Sequence, residues 1–531
     1  FISFRYAKNL VDGLGLVFNA GEHVEGYTNF LWVMILAGGM WAGFDPIVLG
    51  QWLGIGFFFA TVLLLWRAAP TPLPIAAVGL ALHWHSGLFA SCGLETAMFT
   101  FLVTSGLVVL MRAVRPTEFA LAGSLWIAAT MTRPDGALFY ALGAGFVTVL
   151  AVAGRSVRCW LAYAAPFVCG YLPYFLWKLA YYGYPLPNTF YAKSASEANV
   201  QQGLYYLRLY LQCYYVLLPA LLIPVWCLLR CRPRAMLQVG ACRRALLLLF
   251  CTLPFLAYVV WVGGDFMFAR FCLPVTPALF LALQLPMRAA GPPRRVDWVV
   301  AALLVAGSLL PAYPAQAIKV GNPRFVGEER DHYPAWYVEA NRILGRRLAE
   351  LFAGSDLRLA IGGGQAMLAY YSEAPYVLEL HGLTDEFIAH RKLERRGRVG
   401  HEKVLPLDHA YLRRRGVDLI VGPLQFPGVP DDRLGTARRF EFRVENVPFG
   451  SLERRFTNFA RATLLTYDAG LLTRVTGRQD VRFGDFPRYL DEYRAAIPSR
   501  PAAEVRADLR AFDAFYFEQN DDQRRRTGLV R

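Results

Sequence analysis

The sequence predicts a polytopic α-helical membrane domain followed by a C-terminal soluble α/β domain. Hydrophobic residues make up 55% of the 531-residue chain and charged residues 18%, with a mean hydropathy of +0.32. Soluble chains carry about a quarter charged residues. The charge is also unevenly placed: residues 1–313 hold 20 Lys and Arg with 10 Asp and Glu, and residues 314–531 hold 35 and 30. An apolar region is therefore followed by a polar one.

Apolar runs long enough to span a bilayer stand at 28–44, 46–66, 72–90, 94–111, 117–132, 137–153, 159–181, 204–229, 245–262, 271–287 and 297–312, about eleven candidate helices. The opening 1–27 is polar and aromatic, and reads as part of an external loop that precedes a transmembrane domain at 28–313. The net charge of +15 does not indicate nucleic acid, because Arg clusters between apolar runs are what the positive-inside rule places in cytoplasmic loops. By that rule 230–244 (RCRPRAMLQVGACRR) and 288–295 (RAAGPPRR) are cytoplasmic. Counting outward, 181–195, 262–270, 132–136, 92–95 and everything after Pro314 fall on the opposite face. The same count carried back to the N-terminus would put the opening segment inside, unless one run between 28 and 90 is short or re-entrant.

From 314 to 531 the pattern is α/β. NRILGRRLAELFAG (341–354) has helical spacing, LRLAI (357–361) reads as a strand leading into GGG (362–364), and QAMLAYYSE continues as a helix. DHAYLRRRG and VDLIVG (408–422) repeat helix and strand, and an Arg-rich tail follows from about 480. All nine cysteines lie between Cys92 and Cys272 without metal-binding spacing, and are read as small buried hydrophobes. His83 and His85 are read as a polar pair satisfied by neighbouring helices rather than as metal ligands. Phosphate-binding glycine fingerprints are absent. The first 30 residues lack the pattern of a signal peptide, and with no initiator Met the chain is expected to be a piece of a longer one.

Ionisable groups at membrane depth are costly and mark sites. Five stretches qualify: the opening segment, GLET (93–96), TRPDG (132–136), YYGYPLPNTFYAK (181–193) and GGDFMFAR (263–270). Each also has a plainer reading. Glu95 is an acid near a helix N-terminus, Arg133 with Asp135 is an interfacial ion pair, and the tyrosines of 181–184 form an aromatic belt. Together the stretches gather carboxylates, cations and aromatics on one face, which suits a lipid-linked anionic substrate.

FISFRYAKNLVDGLGLVFNAGEHVEGYTNFLW resembles the first external loop of the GT-C superfamily, polyprenyl-phosphate-sugar-dependent glycosyltransferases. It is most similar to the branch that contains the mycobacterial terminal beta-(1->2)-arabinofuranosyltransferase. TRPDG, YYGYPLPNTFYAK, GGDFMFARF, GLTD (382–385) and RVGH (398–401) are further marks of that branch. The resemblance implies a GT-C fold in a bacterial inner membrane, with the C-terminal domain extracytoplasmic and the opening segment outside. It implies an inverting transfer from a polyprenyl-phosphate-linked sugar to a cell-envelope glycan or lipid acceptor. The family's general base is an Asp expected just before Phe1, so no catalytic residue is named within the chain; Glu22, Glu25 and Glu95 are weaker substitutes. Arg133, Lys193 and Arg270 are expected to hold the donor phosphate, with Asp135 orienting Arg133. Arg5 and Tyr6 are expected to shape the site, and Asn188, Tyr191, Glu95 and Asp265 to contact sugar or orient the cations. No cofactor is assigned, and a divalent metal is left open. A transporter of lipid-linked intermediates would instead show charges at helix midpoints and an inverted repeat, and a non-catalytic envelope or motility-associated protein would lack the acidic base.

Overall fold

The computed structural model describes residues 1–503, apart from 69–72, 155–156, 194–197, 233–237, 239, 287–292, 320–321, 355, 362–365, 393–399, 401–402, 404–408, 418, 423–437, 445–460, 467–480 and 486–500. The GGG at 362–364, most of RVGH and most of the Arg-rich tail lie outside the described residues.

Each apolar run forms helix. Pro46–Ala68, Val157–Tyr182 and Ala241–Val262 are long and apolar enough to cross a membrane, and Phe30–Trp41, Thr96–Arg112, Gly136–Val152 and Arg270–Gln284 are shorter apolar helices. Against the expectation of about eleven spanning helices, three described helices have that length, or four if the bent pair Val200–Cys213 and Tyr215–Leu229 is one span, and two of the runs are divided. The run at 72–90 divides into Ile75–Ala81 and Trp84–Ser91, with His83 between them capping the second helix through its ring. The run at 204–229 divides at Tyr214, and its halves bend by 95°. Phe30–Trp41 has 12 residues, about 18 Å of helix, short of the roughly 30 Å hydrocarbon layer. In Val157–Tyr182 the chain passes through one π turn at Phe167–Tyr171, immediately after Pro166, where the ring removes a backbone donor.

Helix association in lipid rests on close packing and interhelical hydrogen bonds rather than on expulsion of water. Glycines supply the closest approaches. A Cβ at Gly54 would lie 2.2 Å from the Ala90 carbonyl oxygen, and one at Gly203 2.1 Å from that of Val260. Trp126 is buried between Gly106 and Gly143, and its indole N–H donates to the Val103 carbonyl at 3.1 Å.

At one end of the bundle, buried Arg243 donates to the carbonyls of Leu110 and Ala113, at the C-terminal end of Thr96–Arg112, where backbone acceptors lack helical partners. The reading of every cysteine as a buried hydrophobe is corrected: Cys231 and Cys242 are joined in a disulfide, Cys169 is exposed, and Cys92 and Cys227 are half-buried. Cys231 and Cys242 belong to the basic 230–244 stretch, outside the apolar runs, where apolar packing is not on offer.

The C-terminal region carries a six-stranded mixed sheet of β1 (Arg358–Ile361), β2 (Tyr376–Glu379), β3 (Leu419–Gly422), β4 (Arg438–Val444), β5 (Arg461–Thr466) and β6 (Val481–Asp485), in the order β2-β1-β3-β5-β4-β6. β1 pairs in parallel with β2 and β3, each connection containing a helix, Ala366–Tyr371 or His409–Arg414. The remaining pairings are antiparallel. Helix Ala335–Leu351 packs on Ala366–Tyr371, and the opening helix Ile2–Val11 packs there too.

Replacing Gly54 by Val forces backbones apart and should cost about 1–3 kcal/mol. Gly56, one half-turn away with nothing within 4 Å of a Cβ, is the control. Thermal melting in detergent is expected to fall for Gly54→Val and to stay near the parent for Gly56→Val; equal melting of the two would remove the close-packing account.

Candidate functional site

The opening segment is pinned between the bundle and the α/β domain by buried polar side chains. The Arg5 guanidinium donates to the carbonyls of Phe18, Ala369 and Ala374 at 2.7–2.8 Å, and its plane lies over the Phe18 ring. Asn19 donates to the Val377 carbonyl and accepts from the Val377 N–H, in effect adding a partner to strand β2. Tyr6 donates to the Val24 carbonyl and accepts from the Gly26 N–H. Glu25 forms a buried ion pair with Lys178 at 2.9 Å, fixing the loop to the helix Leu172–Tyr182.

From this segment a polar chain runs into the mouth of the bundle. Ser3 donates to Asn29, Asn29 donates to Glu95 at 3.1 Å, and Glu95 faces Arg133 at 3.7 Å. Arg133 grips Asp135 with two hydrogen bonds of 3.0 and 3.1 Å, and lies over the rings of Phe99 and Phe271. Arg270 shares the Phe271 ring and pairs with Asp265. Burial of these charges is sustained because each has an opposite partner.

The GGDFMFAR loop owes its course to its glycines. Gly263 and Gly264 have φ of 92° and 71°, and a Cβ on Gly264 would strike Tyr206 at 2.4 Å, so the close approach is to the protein's own helix. Ala269 also lies in the left-handed region, at φ 66°, immediately before Arg270. The loop bridges Met267 to Gly327, which brings Glu329 and Arg330 beside it.

These elements enclose a cavity of about 530 Å³. Its walls come from three sources: Phe1, Ile2, Ser3 and Phe4 of the opening helix; Trp32, Ile47, Leu88 and Glu95 of the bundle; and Met367, Glu379 and Leu383 of the α/β domain. Three cations, Lys193, Arg270 and Arg330, and three carboxylates, Glu95, Glu329 and Glu379, face it.

Of the residues expected in the site, Glu95, Lys193 and Arg270 line this cavity, and Arg133, Asp135 and Asp265 stand behind them as ion-pair partners. Arg5, Tyr6 and Asn188 do not line it. All three are buried and used internally: Asn188 donates to the carbonyls of Gly382, Leu383 and Asp385, holding the GLTD turn. Tyr191 packs against His390 at 4.3 Å with the rings tilted by 33°, away from the cavity. Sequence reasoning missed Glu329, Arg330 and Glu379, which sit in the charge-rich half of the chain where an ionisable group is no signal by itself.

The histidine pair is satisfied as expected. His85 bonds to Tyr214 and Glu328, and His83 to Ser86 with Tyr214 stacked at 3.9 Å. Among the described residues no group of three or more His, Cys, Asp or Glu is placed to hold a metal ion.

No family model matches the chain. It is 28% identical over 322 residues to the terminal beta-(1->2)-arabinofuranosyltransferase of Corynebacterium glutamicum, covering 53% of this chain and 46% of that protein. It is 28% identical over 354 residues to the protein of the same description from Mycobacterium tuberculosis, covering 57% and 55%. The chain thus spans about half the length of the curated relatives it matches. Its fold is similar to that of ArnT from Cupriavidus metallidurans bound to undecaprenyl phosphate, with a TM-score of 0.51 at 15% identity, covering 89% of this chain and 94% of that one.

Burial pushes the carboxyls of Glu329 and Glu379 up to about 7, opposed at Glu329 by Arg270 and at Glu379 by the N–H groups of His381 and Leu383. Burial raises Glu25 to about 7 as well, against the pull of Lys178. A carboxyl raised in the folded state favours folding while protonated, so that contribution is complete below its unfolded pKa and is lost as pH rises through about 7. Melting temperature is therefore expected to fall between pH 5 and pH 8, and Glu379→Gln to fall less over that range. A Glu379→Gln slope as steep as the parent's would contradict the assignment.

Proposed function

We propose that this chain, which groups with the GT-C glycosyltransferases by its relatives and its fold, transfers a sugar from a polyprenyl-phosphate-linked donor to a cell-envelope glycan or lipid acceptor. The observation that carries the reading is the cavity at the bundle mouth, where Lys193, Arg270 and Arg330 face a space whose other walls include Trp32, Ile47 and Leu88. A phosphate needs cations and a polyprenyl chain needs apolar surface, and this cavity joins the two.

In this reading the departing phosphate is held by Lys193 and Arg270, with Asp265 fixing the direction of the Arg270 guanidinium. Arg133 lies one layer back; through Glu95 it sets the potential of the cavity wall. The acceptor hydroxyl attacks the anomeric carbon from the face opposite the phosphate, its proton goes to a carboxylate base, and the anomeric bond to the phosphate oxygen breaks with inversion. The resemblance puts that base directly before the FISFRYA run, and Phe1 lines the cavity. The chain would work in a bacterial inner membrane with its α/β domain on the extracytoplasmic face. Charges gathered at one mouth of the bundle favour this over a transporter, whose ionisable groups would lie along the helices.

Lys193→Ala and Arg270→Ala, made in the full-length protein, each remove a charge-assisted contact of about 1.5–3 kcal/mol, so kcat/KM for a polyprenyl-phospho-sugar is expected to fall roughly 10- to 150-fold. Transfer that survives both substitutions unchanged would sink the phosphate assignment.

A further inference from the structure

A second cavity, of about 620 Å³, lies on the other side of the GLTD turn, between the opening segment and the α/β domain. Leu383 lines the first cavity and Asp385 the second, so residues two apart in one turn form a wall common to both. Asn188 holds that turn from within the bundle side, and the side chain of Glu379 holds it through the His381 and Leu383 N–H groups. The wall is thus firmly built, and a single turn of chain separates the two cavities.

The chemistry of the two cavities differs. Carboxylates of Glu22, Asp385 and Glu386 face the second, against the guanidinium groups of Arg391 and Arg415. Arg415 pairs with Glu22 and lies 3.6 Å from Asp385, which also accepts from the Tyr411 hydroxyl at 2.7 Å. His23 and His390 also line the space, but Arg415 is already engaged by Glu22 and Asp385, so a phosphate or another anion would have to displace a carboxylate to reach it. Aromatic rings border the same space. Phe387 stacks on Tyr411 at 4.4 Å yet is 47% exposed, and Tyr184, 36% exposed, packs on His390 at 4.8 Å. Half-exposed rings braced from behind present a face to a ligand, and fixed carboxylates beside them accept hydrogen bonds from neighbouring hydroxyls.

We infer that this second cavity binds a neutral oligosaccharide, the acceptor strand of the transfer, with its reactive end directed past the GLTD turn toward the first cavity. The inference rests on the proposed transferase reading and adds to it where the acceptor lies and what it is. Apolar C–H faces of the sugar rings pack on Phe387 and Tyr184, and ring hydroxyls donate to the exposed Glu386, whose other contact is the Tyr184 hydroxyl, while the buried Asp385 is held by Ile388, Tyr411 and Arg415.

The test uses the full chain purified in detergent, with a panel of neutral oligosaccharides followed by saturation-transfer NMR and calorimetry, and polyprenyl phosphate binding measured separately. Phe387→Ala and Glu386→Gln alter exposed side chains, and melting curves verify that both variants are folded. At least tenfold weaker oligosaccharide binding is expected for each, with polyprenyl phosphate binding unchanged. Oligosaccharide binding that is indifferent to both substitutions, or that polyprenyl phosphate competes away, would overturn the inference, as would the absence of any oligosaccharide binding by protein that binds polyprenyl phosphate. Oligosaccharide binding sensitive to both substitutions in protein that does not bind polyprenyl phosphate would uphold the groove and reject the transferase reading.

Discussion

The structure depends on one buried guanidinium. Arg5 reaches across 364 positions of sequence to Ala369, and in the same stroke to Ala374 and Phe18. Burial lowers its pKa to about 10, still far above neutrality, so it remains a cation held by three carbonyl dipoles. A planar donor spreads its N–H groups in a fixed fork and can reach three separate carbonyls at once, where a lysine offers its three donors from a single nitrogen. Asn19, Asn188 and the Glu25–Lys178 pair repeat the device on either side. Through these contacts the opening helix becomes a wall shared by the bundle and the α/β domain, and the cavity exists only because both are docked on it.

A second constraint follows from placing charge at the mouth of an apolar bundle. An isolated ion there would be costly, so the cations and carboxylates are threaded into a continuous chain from Ser3 through Asn29, Glu95 and Arg133 to Asp135, with Asp265 and Arg270 beside it. Such a network is preorganised: its dipoles are set before a ligand arrives, which is what the proposed transfer from a phosphate-linked donor requires. The same economy explains the asymmetry of the bundle, whose opposite end uses Arg243 to satisfy helix carbonyls.

Much of this was legible from sequence, because the apolar runs have membrane length and because charges inside them are rare enough to be informative. GLET, TRPDG and GGDFMFAR stood out for that reason, and they do meet at one site. What was not legible depends on distance. Arg5 is expected to shape the site, but nothing local in FISFRYA shows that it does so through the carbonyls of residues 369 and 374. Asn188 is the same case: its amide is turned inward to the GLTD carbonyls, a partnership nothing in YYGYPLPNTFYAK reveals. Glu329, Arg330 and Glu379 were lost in a region rich in charge, and only the pairing of Met267 with Gly327 and the register of β2 place them at the cavity. The breaks at His83 and Tyr214 escaped because hydropathy reports burial in lipid, whereas the polar side chains that interrupt these helices are satisfied by one another.

In the proposed reading, the cations at the bundle mouth hold a lipid-borne phosphate. Structure determination of the full-length protein with polyprenyl phosphate tests it most directly. Phosphate density is expected within hydrogen-bonding distance, about 2.7–3.2 Å, of Lys193 and Arg270, with the first isoprene units against the apolar wall. Phosphate density at the opposite, Arg243 end of the bundle, or in the Glu22–Asp385 cavity, would contradict it.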